Sequence, residues 1–195
     1  MSSTTIAAAE AAHYQYSRLQ RSLHWLMAAI ILVAIGLGIW SSFLVVGTPF
    51  RRGLLDVHKS LGMTALALLL VRIACRLFFG EPLYRQPLDV LTRIGAHLAH
   101  GALYLMMLFM PLTGYLFSAA GGYSLPWFGL FTWPRVLPHD EPDALLGQSL
   151  HHLGAWVICA LLIAHGLAVI WHASVKKDEV LSRMLPSGGQ KRINN

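Results

Sequence analysis

Charged side chains are scarce in this sequence. Asp, Glu, Lys and Arg make up 12% of its 195 residues, whereas hydrophobic residues make up 55%. In soluble globular domains about a quarter of the residues are charged. The scarcity therefore excludes an ordinary soluble domain and predicts an integral membrane protein.

Cysteine is nearly absent as well. Cys75 and Cys159 are the two cysteines, and both lie in apolar segments without the CxxC spacing of a metal or redox site. We expect both to be small hydrophobic residues without a disulfide. The net charge of +6 is better explained by membrane topology than by a nucleic-acid partner. A nucleic-acid-binding protein needs a basic stripe on a soluble fold, and the sequence shows no such stripe.

Four apolar stretches each reach the roughly twenty residues that a membrane-spanning helix needs. They cover about residues 22–46, 57–79, 94–118 and 144–175. Lys59, Arg72 and Arg76 interrupt the second stretch, but long basic side chains can place their charged ends at the membrane surface. The sequence thus predicts an all-α fold, an integral membrane four-helix bundle formed by a single domain over residues 1–195.

The basic residues predict the orientation of this bundle. With four spans both termini lie on one side, and eleven Lys and Arg residues fall on that side. Four fall on the other side, namely Arg51, Arg52, Lys59 and Arg135. Because cytoplasmic loops are enriched in Lys and Arg, we expect a multi-pass membrane protein with both termini in the cytoplasm.

The fourth span carries histidines where acidic and basic residues are missing. Residues 151–172 contain four histidines and no Asp, Glu, Lys or Arg. At about 100° and 1.5 Å per residue, His151 and His165 share one helix face about 21 Å apart, and His172 lies on that face too, unlike His152. Ionisable groups inside a membrane are costly, so these side chains are candidate functional residues.

Two further histidines match these depths. His24 lies near the inner end of the first span, level with His165, and His58 lies near the outer end of the second, level with His151. Bundle cores hold cofactors with inward-facing side chains from facing helices. Because haem iron accepts axial imidazoles, two pairs at two depths predict two stacked haem groups.

Alternative roles for the histidines fit the pattern less well. A zinc or copper site needs three or four ligands at one depth, and a proton relay usually includes intramembrane Asp or Glu. His97 and His100, at the inner end of the third span, are open to two interpretations. They are either interfacial residues hydrogen-bonded to a propionate or water, or residues with a direct role, with His100 as an alternative inner ligand.

Several short motifs together resemble the bacterial cytochrome b-561 family. They are YSRLQRSLHW at residues 16–25, HKSLG at 58–62, HLAH at 97–100, Lys177-Asp178 and RMLP at 183–186. The resemblance covers residues 16–186. It implies a four-helix inner-membrane cytochrome with two b-type haems, which exchanges electrons with quinone. It also implies His24, His58, His151 and His165 as the haem ligands.

One branch of that family to which this chain is similar, the superoxide oxidases, oxidises superoxide and reduces ubiquinone. This implies a quinone-linked oxidoreductase in which the haems carry the electrons and no side chain is itself catalytic. Iron with two axial imidazoles is six-coordinate, which favours electron transfer over oxygen binding. The alternative is a haem-bearing anchor subunit that relays electrons between a partner dehydrogenase or hydrogenase and the quinone pool. A haem-free transporter is a third interpretation.

Charged and aromatic residues near the two ends suggest the remaining contacts. Superoxide or another small anionic donor would be attracted by the outer cations Arg51, Arg52, Lys59 and Arg135, unless these are ordinary solvated loop charges. Arg72 and Arg76 are expected to pair with the inner haem propionates, and Lys59 with those outside. Trp25 and His172, which flank the inner pair, are the candidate quinone contacts.

Overall fold

The computed structural model describes residues 14–85 and 87–185. Within these ranges four long helices follow one another: α1 (Arg18–Ser42), α2 (Pro49–Phe79), α3 (Val90–Ala120) and α4 (Glu141–Trp171). A π-helical turn, His172–Lys176, continues α4. All four helices are long and apolar enough to cross a membrane, so the predicted all-α membrane bundle is confirmed. The predicted single domain extends beyond the described residues at both ends.

Polar first turns make all four helices begin before the predicted apolar stretches, and α1 also ends four residues early, at Ser42. The side chain of Thr48 accepts a hydrogen bond from the Arg51 backbone, and Pro49 occupies the first helical position, so α2 begins about eight residues before the expected residue 57. Ser17 and Gln20 form a reciprocal capping box at the start of α1. Asp140 caps α4 through its side chain, as Thr48 caps α2. Hydropathy misses these turns because their side chains are polar.

The helices pack as two hairpins, α1 with α2 and α3 with α4. Glycine permits the close approach within the second hairpin. A Cβ atom added at Gly147 would lie 2.6 Å from the backbone nitrogen of Phe117, and one added at Gly154 would lie 2.6 Å from the sulfur of Met110. Small residues allow membrane helices to approach in this way.

Gly147→Ala is expected to destabilise the protein by about 1–3 kcal/mol, because the added methyl group meets backbone that cannot move aside. Gly36→Ala is the matched control, since a Cβ atom there meets nothing within 4 Å. Thermal unfolding of both variants in detergent measures the difference. Equal midpoints for the two variants would contradict the close packing of α3 and α4.

We call the end of the bundle at which α2 begins the outer end, and the end at which α1 begins the inner end. A short hairpin covers the outer end of α2. Strand β1 (Pro126–Trp127) pairs antiparallel with β2 (Phe131–Thr132). The hydroxyl of Ser60, which is 1% exposed, lies 3.0 Å from the carbonyl oxygen of Pro126 and accepts a hydrogen bond from the Phe128 backbone. The indole of Trp127 donates to the hydroxyl of Thr64 at 3.1 Å. These bonds fasten the loop between α3 and α4 to α2.

The inner end is covered by the C-terminal segment. Arg183 is 2% exposed, and its guanidinium carbon lies 3.6 Å from the ring centroid of Tyr84. Its nitrogens donate to the carbonyl oxygens of Tyr14 and Pro82. Burial raises the pKa of Tyr16, whose ring also faces Arg183. Carbonyl groups and aromatic faces thus stabilise a buried cation that joins three separate segments of the chain.

Candidate functional site

Two histidines face each other near the outer end of the bundle. The ring centroids of His58 in α2 and His151 in α4 lie 5.9 Å apart, with the rings at 86°. Nδ1 of His58 lies 2.8 Å from the Ala34 carbonyl oxygen, and Nδ1 of His151 lies 3.0 Å from that of Met110. Because a carbonyl only accepts, each Nδ1 carries the proton and each Nε2 keeps its lone pair for a metal.

A glycine lies beside each of these imidazoles. A Cβ atom at Gly38 would be 3.2 Å from Cε1 of His58, and one at Gly114 would be 3.1 Å from Cε1 of His151. Each glycine follows, by four residues, the carbonyl that the same imidazole contacts. Each outer imidazole therefore lies against a carbonyl and a glycine of a neighbouring helix, Ala34 and Gly38 of α1 for His58, and Met110 and Gly114 of α3 for His151. We call each of these pairs a cradle. Gly114 has no distinguishing signal in the sequence, since glycine is common in membrane helices.

Three histidines meet near the inner end. The ring centroids of His24 in α1 and His165 in α4 lie 6.4 Å apart, at 62°. His100 in α3 also approaches His165, with centroids 5.7 Å apart at 63°. Depth along the spans predicts that His24 and His165 lie close together, and His100, which the sequence left open as an alternative inner ligand, approaches His165 as well.

Arg72 lies between the inner histidines and Tyr104. One of its terminal nitrogens lies 3.2 Å from Nδ1 of His24, and its Nε donates to the Tyr104 hydroxyl at 2.9 Å. Because a guanidinium only donates, Nδ1 of His24 accepts here, unlike the outer histidines. Arg76 packs over the same tyrosine ring and forms an ion pair with Glu81. Arg76 also lines, with His97 and His100, a cavity of about 340 Å³ between α2 and α3.

The candidate quinone contacts Trp25 and His172 both touch the C-terminal segment. Trp25 lies edge-on to His24, with centroids 5.2 Å apart, and its indole donates to the Met184 carbonyl at 2.9 Å. Nδ1 of His172 lies 2.5 Å from a carboxylate oxygen of Asp178. Sequence reasoning placed the two rings near the inner pair but missed both of these partners.

Each of the four basic residues at the outer end donates a hydrogen bond to a backbone carbonyl group. Lys59 donates to the Ser124 carbonyl at 2.7 Å, and Arg135 donates to that of Gly122 at 2.7 Å. Arg51 donates to the Ser41 carbonyl in the last turn of α1, and Arg52 donates to the Gly47 carbonyl in the α1–α2 connection. Among the described residues none of the four forms a salt bridge with a carboxylate. Asp56 acts electrostatically on Lys59, and Asp140, Glu141 and Asp143 begin α4 at the same end, so acidic side chains accompany these cations.

The spacing of the paired imidazoles suits a haem iron. A metal about 2 Å from each coordinating nitrogen places the centroids of two axial rings about 6 Å apart. The observed separations are 5.9 Å for the outer pair and 6.4 Å for His24 with His165. In the described part of the chain, no cluster of three or more His, Cys, Asp or Glu side chains is arranged to hold a metal ion.

Facing imidazoles inside a multi-pass helical bundle define a class of protein, the membrane cytochromes. The sequence model of prokaryotic cytochrome b561 matches residues 15–187. The chain belongs to the prokaryotic cytochrome b561 family. The resemblance drawn from its motifs is thereby confirmed, and with it b-type haem and electron transfer within a membrane.

Several relatives match along most of their length. Cytochrome b561 homolog 2 of Escherichia coli strain K12 is 30% identical over 171 residues, which cover 88% of this chain and 91% of that protein. The probable superoxide oxidase CybB of Yersinia pestis is 29% identical, covering 89% of this chain and 97% of its own. A cytochrome b562 of Cereibacter sphaeroides is 27% identical, covering 87% and 94%.

Proposed function

We propose that this cytochrome is a superoxide:ubiquinone oxidoreductase with two haem b groups, one above the other. The observation that carries the proposal is the presence of facing imidazoles at both ends of the bundle, which offers a place for one haem near each membrane surface. The similarity to a probable superoxide oxidase supports superoxide as the donor. When bound, the haems supply one-electron redox chemistry, which the protein tunes and positions.

His58 and His151 are the proposed outer ligands, and His24 and His165 the inner ones. Nδ1 of each outer histidine is oriented by a carbonyl, as is usual for metal-binding imidazoles. Arg72 and Arg76 stand beside the inner histidines, where guanidinium groups suit the carboxylates of a haem propionate. Lys59, one residue after His58, takes the corresponding role at the outer end.

The outer surface is the proposed entry for superoxide. Its four basic side chains, Arg51, Arg52, Lys59 and Arg135, donate hydrogen bonds to backbone carbonyl groups and form no salt bridge among the described residues. Basic side chains near an entry site attract a small anion and accelerate its arrival. With both termini in the cytoplasm of a bacterium, this surface faces the periplasm, and the donor is oxidised there.

Ubiquinone is the proposed acceptor at the inner end. A quinone site needs an apolar slot with one or two hydrogen-bonding groups near a haem edge. Trp25 is 46% exposed and lies against His24, and His172 follows His165 on the same face of α4. These two side chains therefore flank the inner pair where a membrane-soluble acceptor would arrive.

A haem-bearing anchor subunit is the second candidate function. The turn after α1 favours it, because Phe43, Val45 and Val46 are each at least 75% exposed. An apolar surface of this kind on the outer side suits a protein redox partner such as a dehydrogenase or hydrogenase. In that case electrons enter from the partner instead of from superoxide.

Turnover by the purified protein separates the two functions. Superoxide is expected to reduce the haems, and the reduced haems should then pass their electrons to a short-chain ubiquinone. Two superoxide ions should give one quinol and two oxygen molecules. Superoxide dismutase, added as a control, should abolish the reaction. Haems that superoxide cannot reduce would contradict the oxidase, and turnover restored only by a membrane extract would favour the anchor subunit.

A further inference from the structure

Reduction of a quinone needs protons as well as electrons. Two superoxide ions supply two electrons, and the quinone becomes a quinol only when two protons are added to its oxygens. The membrane interior offers few groups for this purpose, because the described spans contain few acidic residues. The inner end of α4, however, holds a histidine and a carboxylate in direct contact, and electron transfer between the haems makes no use of that contact.

His172 and Asp178 form this pair. Nδ1 of His172 lies 2.5 Å from Oδ2 of Asp178, and Oδ1 of the same carboxylate accepts a hydrogen bond from the Val180 backbone at 3.0 Å. The Asp178 backbone nitrogen also donates to the His172 carbonyl at 3.3 Å. The carboxylate therefore fixes the proton on Nδ1 and leaves Nε2 for a second partner.

An unusual turn brings Asp178 into contact with His172. After Trp171 the chain forms a π-helical turn over His172–Lys176, a feature that is frequent at functional sites. Lys177 then adopts the left-handed conformation, with φ +52°, which is sparsely populated for a residue with a side chain. The two irregularities together reverse the chain and bring residue 178 back to residue 172.

The pair lies between the haem ligand and water. His172 is seven positions after His165, which places it on the same face of α4 and about 10 Å nearer the inner surface. Its side chain is 15% exposed, whereas that of Asp178 is 26% exposed. Both side chains are thus partly buried and partly accessible from outside the bundle.

We infer that His172 delivers both protons to ubiquinone and that Asp178 is the positioning residue that makes it able to do so, a role that rests on the proposed superoxide:ubiquinone function. Nε2–H of the imidazolium gives its proton to a quinone oxygen, and the imidazole regains one from cytoplasmic water. Asp178 keeps Nδ1 protonated and stabilises the imidazolium, as a carboxylate does for histidine in other proton-transfer sites. Two such transfers accompany two electrons and convert the quinone to the quinol.

Asp178→Asn tests this role in the haem-loaded protein. In stopped-flow measurements, reduction of the haems by superoxide should keep its wild-type rate, whereas their reoxidation by short-chain ubiquinone should slow about ten- to a hundredfold. The reoxidation step should also gain a larger solvent deuterium isotope effect. Asp178→Glu retains the carboxylate and should recover part of the rate.

Two measurements besides turnover accompany the kinetics. Haem content by pyridine haemochrome and equilibrium binding of short-chain ubiquinone by tryptophan fluorescence should both match the wild type in Asp178→Asn. Glu179→Gln is the matched control, because Glu179 is the adjacent acid and bonds the Arg85 backbone instead of a histidine. That variant should keep the wild-type rate of reoxidation.

The results separate this inference from the function on which it rests. An unchanged reoxidation rate in Asp178→Asn, or a slower rate explained by weaker quinone binding, would overturn the proton-delivery role alone. Wild-type haems that ubiquinone cannot reoxidise would overturn the ubiquinone reductase function and this role together. A slower rate with normal binding, normal haem content and partial rescue by glutamate would establish it.

Discussion

Replacing His151 with alanine is expected to halve the haem content of the protein, from two haems to one. His151 and His58 face each other with a ring separation that suits a shared iron, and each is oriented by a backbone carbonyl. Because one axial imidazole holds a haem much less firmly than two, His58→Ala should have the same effect. A pyridine haemochrome assay per mole of purified protein measures the loss.

His152→Ala is the control for this experiment. His152 is the neighbour of His151 in α4 but is exposed and lies on a different helix face, so its removal should leave two haems. If His151→Ala retained two haems, His151 would not be a ligand, and the proposal that His58 and His151 hold the outer haem would be wrong. A loss of all haem in His151→Ala together with a lower unfolding temperature would indicate misfolding, which circular dichroism of the variant detects.

The inner level gives the second large effect, because three histidines compete there for two ligand positions. His165 approaches both His24 and His100, with ring centroids 6.4 Å and 5.7 Å apart. We expect His24→Ala and His165→Ala each to remove the inner haem, because these rings face each other at a separation that suits a shared iron, as those of the proposed outer ligands do. For Nε2 of His24 to bind that iron, a proton on Nδ1 must replace the contact with Arg72. His100→Ala should keep two haems and change only the reduction potential of the inner one.

Redox titration combined with the haemochrome assay distinguishes the outcomes. One haem remaining in His100→Ala, with two remaining in His24→Ala, would show that the inner iron is held by α3 and α4 instead of α1 and α4. The contact of Arg72 with Nδ1 of His24 makes this comparison informative, because the outer histidines bond carbonyls at the same atom. Both variants leave the outer cradle untouched and so serve as controls for each other.

Much of the architecture follows from local sequence properties. Four apolar stretches predict four spans, and the fourteen-residue spacing of His151 and His165 predicts two levels on one helix face. The helix ends were less predictable, because Thr48 and Asp140 begin their helices through polar capping bonds that hydropathy does not register. The hairpin over α2 was not predicted either, since it depends on Ser60, a residue with no distinguishing signal in the sequence.

The number of spans, and the shared helix face of His151, His165 and His172, could be predicted from the amino-acid sequence alone. These properties depend on the rise and rotation of a single helix, which are the same in every protein. The packed bundle was needed to show that His100 approaches His165 and that Gly38 and Gly114 lie against the outer imidazoles, because these distances depend on how different helices rotate and pack against one another. The contact of Asp178 with His172 spans only six residues, but it depends on a π-helical turn and a left-handed residue, which no periodic pattern encodes.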